Sequence, residues 1–150
     1  MSKLKWYRAF TPHTKPVHMV VLHCTDSDPT ATVEEIHRWH QARGWAGIGY
    51  HWVVTADGRV ENGRPENAQG SGVRGHNNGV VHVCMVGRFD KAPPPEKQLD
   101  AACACLARVL AAHGLTVEAV RFHRELDGGK TCPGLAVGRA EVVERVSRKG

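Results

Sequence analysis

The chain has 150 residues, of which 41% are hydrophobic, and this suffices for the core of one domain without a second. A net charge of +5 favours an anionic partner (nucleic acid, an anionic wall polymer or a membrane surface), although ordinary solubility charge explains it equally well. The polar, basic N-terminus and the short apolar runs indicate neither a signal peptide nor a membrane span, so we expect synthesis in the cytoplasm and no membrane insertion.

The first predicted elements are a strand and a helix. The run VHMVVLH at 17–23 is short, apolar and rich in valine, which is typical of a strand buried on both faces, and it ends on His23. Thr32 and Glu35 form a capping-box signature, and apolar residues then recur at helical spacing until Gly44. The sequence therefore predicts a helix that begins after Thr32.

The middle of the chain predicts a hairpin and a further strand. Asp57 and Gly58 lie between two valine-bearing runs, which indicates strands near 50–55 and 59–62. The run VVHVCMVG at 80–87 predicts another strand.

The last third predicts two helices and one more strand. Leucines and a cysteine at helical spacing predict a helix from about Pro95 to His113, closed by Gly114. A short strand at 119–122 and a terminal helix at 136–148 follow. We therefore expect one α/β or α+β domain over 1–150, with 1–16 as an N-terminal extension and a central mixed sheet flanked by about three helices.

A metal site is one interpretation of the residues at the predicted strand ends. His23 and His123 each end a predicted strand, and a glycine-rich loop then leads to Cys132. Two imidazoles and a thiolate form a three-ligand zinc set that leaves the fourth position for water, at one edge of the sheet. The alternative is that they are hydrogen-bonded core residues, since the chain has ten histidines, and spacing alone does not decide. Cys24 should point to the opposite face of its strand and not share the metal.

Four segments in this order carry a resemblance: VVLHCTDS, GWAGIGYHWVVTADGRVENGR, GHNN followed by VHVCMVG, and FHRELDGGKTCPG. The chain resembles the zinc-dependent N-acetylmuramoyl-L-alanine amidases, a family that includes the peptidoglycan recognition proteins. It is most similar to the short phage endolysins of the bacteriophage-lysozyme type. The resemblance implies that His23, His123 and Cys132 bind one zinc ion, and that the enzyme hydrolyses the amide between muramic acid and the first alanine of the stem peptide.

The resemblance also implies roles for residues around the ligands. Tyr50 and Lys130 match the two other catalytic positions, and a lysine two residues before a ligand is placed to stabilise an oxyanion. His76, Asn77 and Asn78 match a segment near the substrate groove. The alternatives are a core tyrosine, a solvent-facing lysine and a turn built from asparagine and glycine. The remaining histidines are interpreted as structural: His18, His37, His40, His51, His82 and His113.

The chain departs from part of this family at two positions. Longer relatives that recycle wall fragments carry a glutamate base where Cys84 stands and an aspartate ligand where Cys132 stands. A neutral thiol is a poor substitute for a carboxylate base, so proton transfer would fall to Tyr50 or to the metal-activated water. This favours the endolysins over the recycling enzymes.

The resemblance implies that the partner is bacterial peptidoglycan, reached at lysis, and that the protein is a monomer with no nucleic acid partner. Two alternative functions stay open. One is a recognition module that binds muropeptide without cutting it, and the other is an amidase that also inhibits a phage RNA polymerase.

Overall fold

Five strands form one mixed sheet in the computed structural model, which describes residues 4–149. The strands are β1 (Met19–Cys24), β2 (Trp52–Val54), β3 (Val60–Asn62), β4 (Val80–Met85) and β5 (Val120–Phe122). Their order is β3-β2-β4-β1-β5, with β3 antiparallel to β2 and every other pair parallel. Since β1, β4, β2 and β5 run the same way, the residues that end them meet at one edge of the sheet.

Within residues 4–149, four α-helices surround the sheet, one more than the sequence predicts. They are α1 (Val33–Ala42), α2 (Glu96–Ala112), α3 (His123–Leu126) and α4 (Arg139–Lys149), with a 3₁₀ turn at Val117–Ala119. The additional helix is α3, which is too short to show a helical period in the sequence. The predicted start of α1 is confirmed, because the Thr32 hydroxyl accepts the Glu35 N–H and the Glu35 carboxylate accepts the Thr32 N–H.

The face of the sheet that packs against α2 and α4 forms the larger apolar core. Leu22, Val83 and Phe122 point into it from the strands, and Leu106 and Val142 from the helices. Gln98 is fully buried beside this core, where its side-chain amide donates to the carbonyls of Val54 and Val86. These bonds satisfy two backbone acceptors at the ends of β2 and β4.

The opposite face packs partly against α1 and carries the polar side chains. Ile36 of α1 contacts a smaller apolar cluster that includes Val53 of β2. Because neighbouring strand residues alternate, His23 lies on this face while Leu22 lies on the other. In the β1–β4 register His23 pairs with Cys84, so the Cys84 side chain lies on the same face as His23.

Residues 4–16, the described part of the predicted N-terminal extension, pack against this side of the domain, and residues 1–3 lie outside the described residues. The Trp6 ring contacts the His37 ring edge to face, with centroids 4.7 Å apart. The Tyr7 N–H donates to the Ala46 carbonyl. Within residues 4–149, no helix combines the length and the apolar character needed to cross a lipid bilayer.

Candidate metal centre

His23, His123 and Cys132 meet at the carboxyl edge of the sheet although about a hundred positions separate the first from the other two. Among the histidine, cysteine and acidic side chains of residues 4–149, these three form the group that could hold a metal ion. Their ligand atoms all lie within 4.8 Å of one another. His23 Nδ1 lies 3.2 Å from His123 Nδ1 and 3.7 Å from Cys132 Sγ. A tetrahedral zinc with ordinary bond lengths separates two nitrogens by about 3.3 Å and nitrogen from sulfur by about 3.6 Å. The donor set therefore fits a zinc ion.

His123 takes its position from a turn that the sequence does not predict. It is the first residue of α3 and not the last residue of β5. The chain turns here because the Glu125 carboxylate accepts the Phe122 N–H at 2.7 Å, which satisfies a backbone donor at the start of the helix. The half-buried His123 ring is thereby aimed back toward the end of β1.

Arg124 holds the loop that carries Cys132. Its backbone N–H donates to the Cys132 carbonyl, and its guanidinium donates to the carbonyls of Gly134 at 2.7 Å and Val137 at 2.9 Å. The guanidinium also lies over the Phe122 ring, 4.8 Å from its centroid. One side chain thus connects the start of α3 to both sides of the ligand loop.

Cys132 lies against the end of β1. The Cys24 N–H donates to its sulfur at 3.1 Å, a contact suited to a thiolate. The hydrogen bond with the Cys24 thiol, together with burial, raises the pKa of Cys132 above its ordinary value, so metal binding at this sulfur would release a proton. As the sequence predicts, the Cys24 side chain packs in the apolar core on the α2 side of the sheet.

His23 is fully buried, and its two ring nitrogens have different surroundings. Burial, together with the nearby His123, lowers the pKa of His23, which favours the neutral ring that binds metals. Its Nδ1 faces the other two ligands, whereas its Nε2 lies 2.8 Å from Nδ1 of His82. The sequence interpretation takes His82 as a structural histidine and misses this contact.

Tyr50 borders the ligands on the α1 side. Its half-buried ring lies 5.1 Å from the ring of His23, centroid to centroid. Burial raises the pKa of the Tyr50 hydroxyl, which also interacts with the Cys84 thiol, so the phenol is protonated at neutral pH. Cys84 itself is fully buried, and burial raises the pKa of its thiol, which is therefore neutral at pH 7.

The remaining predicted site residues lie in two loops. Lys130 is exposed in the loop between His123 and Cys132. Burial lowers the pKa of His123, the Asp127 carboxylate opposes this, and the charge of Lys130 lowers the pKa by a smaller amount. The Asn77 side-chain oxygen accepts bonds from its own loop, and Asn78 pairs with Thr14 through its amide. His76 is half-buried in the same loop. Their predicted roles toward substrate stay predictions.

A small cavity opens beside Tyr50. It measures about 50 Å³ and is lined by Thr25, Ile36, Trp39, His40, Arg43 and Tyr50. Trp39 lies at its rim and is 42% exposed. The helical spacing of α1 places Trp39 with the apolar residues, so the sequence does not distinguish it from the core.

The sequence of this chain is similar to several known proteins. The family model for N-acetylmuramoyl-L-alanine amidase matches residues 13–135. The endolysin of Escherichia phage T7 is 34% identical over 128 residues, which cover 80% of this chain and 82% of that protein. Peptidoglycan recognition protein 3 of Homo sapiens is 34% identical over 88 residues, covering 57% of this chain and 26% of that protein.

A solved structure shares the whole architecture. The N-acetylmuramoyl-L-alanine amidase LysC of Clostridium intestinale URNW superposes with a TM-score of 0.88 at 27% identity, over 97% of this chain and 95% of that one. Fold and sequence thus define a peptidoglycan hydrolase. The chain belongs to the N-acetylmuramoyl-L-alanine amidase family, which confirms the resemblance predicted from its four segments.

Proposed function

We propose that this protein is a zinc-dependent endolysin that cleaves the amide between N-acetylmuramic acid and the L-alanine of the stem peptide. The observation that supports it best is the approach of His23 Nδ1 to both His123 Nδ1 and Cys132 Sγ, at two distances that suit ligands of one tetrahedral metal ion. Three protein ligands would leave the fourth position of such a metal for water. When bound, zinc polarises the scissile carbonyl and brings the pKa of a water close to 7.

The protein's own side chains orient the substrate and stabilise charge. Lys130 lies on the same loop as Cys132, and in the proposed role its ammonium offsets the negative charge that develops on the carbonyl oxygen. Tyr50 lies beside His23, and in the proposed role its protonated hydroxyl donates a hydrogen bond to the substrate. Cys84 takes no direct part because its thiol is fully buried beneath Tyr50.

The proposed setting is bacterial lysis. The phage T7 relative is named an endolysin, and we propose that this chain likewise is made in the cytoplasm and acts on the cell wall when the membrane is breached. The net charge of +5 suits an anionic wall. The phage RNA polymerase as a second partner, and the monomeric state, stay predictions that rest on the family resemblance alone.

Hydrolysis of purified sacculi tests the proposal when zinc is counted on the same samples. We expect one zinc per chain and the release of peptides with a free N-terminal alanine, both lost on chelation and both restored by zinc. His123→Ala should lose zinc and activity together. His113→Ala, a half-buried histidine that pairs with Glu66 away from the ligands, is the matched control and should keep both. Hydrolysis by zinc-free protein would refute the metal role, and zinc-loaded protein that binds sacculi without cutting them would refute the enzyme.

A further inference from the structure

A line of buried polar side chains runs from the metal centre into the loop that follows β3. Nε2 of His23 lies 2.8 Å from Nδ1 of His82, and Nε2 of His82 lies 2.8 Å from Oδ1 of Asn77. His23 and His82 are both fully buried, so neither ring exchanges these partners for water. Asn77 lies at the outer end of the line, in the loop before β4.

We propose that Asn77 and His82 are positioning residues, which hold the His23 ring in the tautomer whose Nδ1 is free to bind zinc. The inference deepens the proposed function and rests on it for the identity of the metal. It assigns a role to a histidine that the sequence leaves as structural.

The direction of the hydrogen bonds is set at Asn77. Its Oδ1 accepts the backbone N–H groups of Gly72 at 3.1 Å and Val73 at 3.2 Å. Backbone N–H groups only donate, so the atom that they contact is the amide oxygen and not the amide nitrogen. That oxygen cannot donate, and the bond to His82 must therefore come from an N–H on the histidine ring.

The orientation then passes inward one ring at a time. A neutral His82 that donates from Nε2 has its lone pair on Nδ1, so it accepts a hydrogen bond from Nε2–H of His23. A neutral His23 protonated on Nε2 has its lone pair on Nδ1. That nitrogen is the one that faces His123 and Cys132. The N–H groups of Gly72 and Val73 thus select, through Asn77 and His82, the His23 tautomer that can bind a metal. The hydrogen-bonded line from Asn77 through His82 to His23 is called the relay below.

The position of His82 is tightly enclosed by backbone and by a second ring. A Cβ on Gly72 would lie 2.4 Å from His82 Nδ1, and one on Gly70 would lie 2.8 Å from its Cδ2. The His51 ring stacks on the other side, 5.7 Å away and 5° from parallel, and its Nδ1 accepts the His82 backbone N–H. This enclosure fixes the ring, and a ligand partner fixed in this way is expected to strengthen metal binding.

The relay can be tested by the zinc affinity of two variants at position 82, of which only one keeps a hydrogen-bond acceptor for His23. His82→Phe keeps a ring but removes the acceptor, and loss of such an outer partner is expected to raise the zinc Kd by about 10- to 100-fold. His82→Asn places an amide oxygen near the original Nδ1, so it should hold the Kd within about threefold of wild type. Affinity is measured by competition with a chromophoric chelator on the full chain.

His37→Phe is the matched control. His37 is also a buried, doubly hydrogen-bonded histidine, with the Ile48 N–H on one nitrogen and the Lys5 carbonyl on the other, but it lies on α1 away from the ligands. It should lower stability without changing the zinc Kd. Unchanged affinity in His82→Phe would overturn the proposal. Equal weakening in His82→Phe and His82→Asn would also overturn it, because the hydrogen-bond acceptor, which only the asparagine keeps, would then make no difference.

A measurement on the unmodified, zinc-free protein covers the case in which the variants fail to fold. Nitrogen-15 shifts of the imidazoles distinguish a protonated ring nitrogen from one with a lone pair. We expect His23 and His82 to be protonated at Nε2 and not at Nδ1, and the opposite tautomer in either ring refutes the relay. Because this readout needs neither zinc nor substrate, it separates failure of the relay from failure of the proposed function.

Discussion

Removal of the Lys130 charge should slow hydrolysis without releasing zinc. The proposed role places its ammonium about 4 Å from the oxyanion, where two unit charges interact by about 4 kcal/mol at an effective dielectric of about 20 and by about 1 kcal/mol in water. Lys130 is exposed, so its interaction should fall between these limits, near 2 kcal/mol. Lys130→Ala should therefore lower kcat by about 30-fold, since 1.36 kcal/mol is one factor of ten.

The assay compares kcat, KM and zinc content in wild type, Lys130→Ala and Lys130→Arg on soluble muropeptide. The arginine variant keeps the charge and should recover much of the lost rate. Zinc content should stay at one per chain in all three, because Lys130 supplies no ligand. Lys97→Ala is the control, since Lys97 is equally exposed but lies in the first turn of α2.

Two results would contradict this reasoning. If Lys130→Ala kept kcat within about threefold of wild type, the ammonium would not stabilise the transition state. If the loss appeared in KM with kcat unchanged, Lys130 would bind ground state and transition state equally.

Three further predictions concern metal binding, helix capping and acid stability. Cys132→Ser should weaken zinc binding by more than about 100-fold, because loss of a ligand should cost more affinity than loss of a residue that only orients a ligand. Zinc that is retained through chelator competition would contradict this. Thr32→Ala should lower the free energy of unfolding by about 1 kcal/mol, measured in urea, because it removes the observed capping box; an unchanged midpoint would show that the cap contributes nothing. Burial lowers the pKa of His51 to about 4, below the unfolded value of 6.5, so the unfolded chain binds the extra proton and stability is lost as pH falls from 6.5 toward 4. Between pH 7 and 5 the loss from His51 should be about 2 kcal/mol in urea unfolding of zinc-free protein, and a flat profile would contradict it.

Elements with strong local signals were predictable from the sequence. The valine-rich run before His23 gives β1, and Thr32 with Glu35 gives the start of α1, because each signal depends on residues a few positions apart. Strand alternation also places the Cys24 side chain correctly on the core side of the sheet. The family resemblance predicts all three ligands, and the predicted strand ends at His23 and His123 and the glycine-rich loop before Cys132 agree with it.

Features that depend on long-range packing were not predictable. The approach of Cys132 to His23 requires the bonds from Arg124 to Gly134 and Val137, and nothing in the sequence around Arg124 shows which carbonyls it will reach. The contact of His82 with His23 depends on the register of β1 against β4, in which His23 pairs with Cys84. Once that register is known, alternation puts residues 82 and 84 on the metal side, so the missing information was the pairing and not the residue type.

The sheet separates the parts of the protein that can be engineered independently. The two long helices α2 and α4 cover one face, and every ligand and catalytic candidate lies outside them. Substitutions that improve packing between those helices, or optimise their surface charges, should raise heat resistance while leaving turnover alone. A more durable form of this amidase could therefore be sought on that side first.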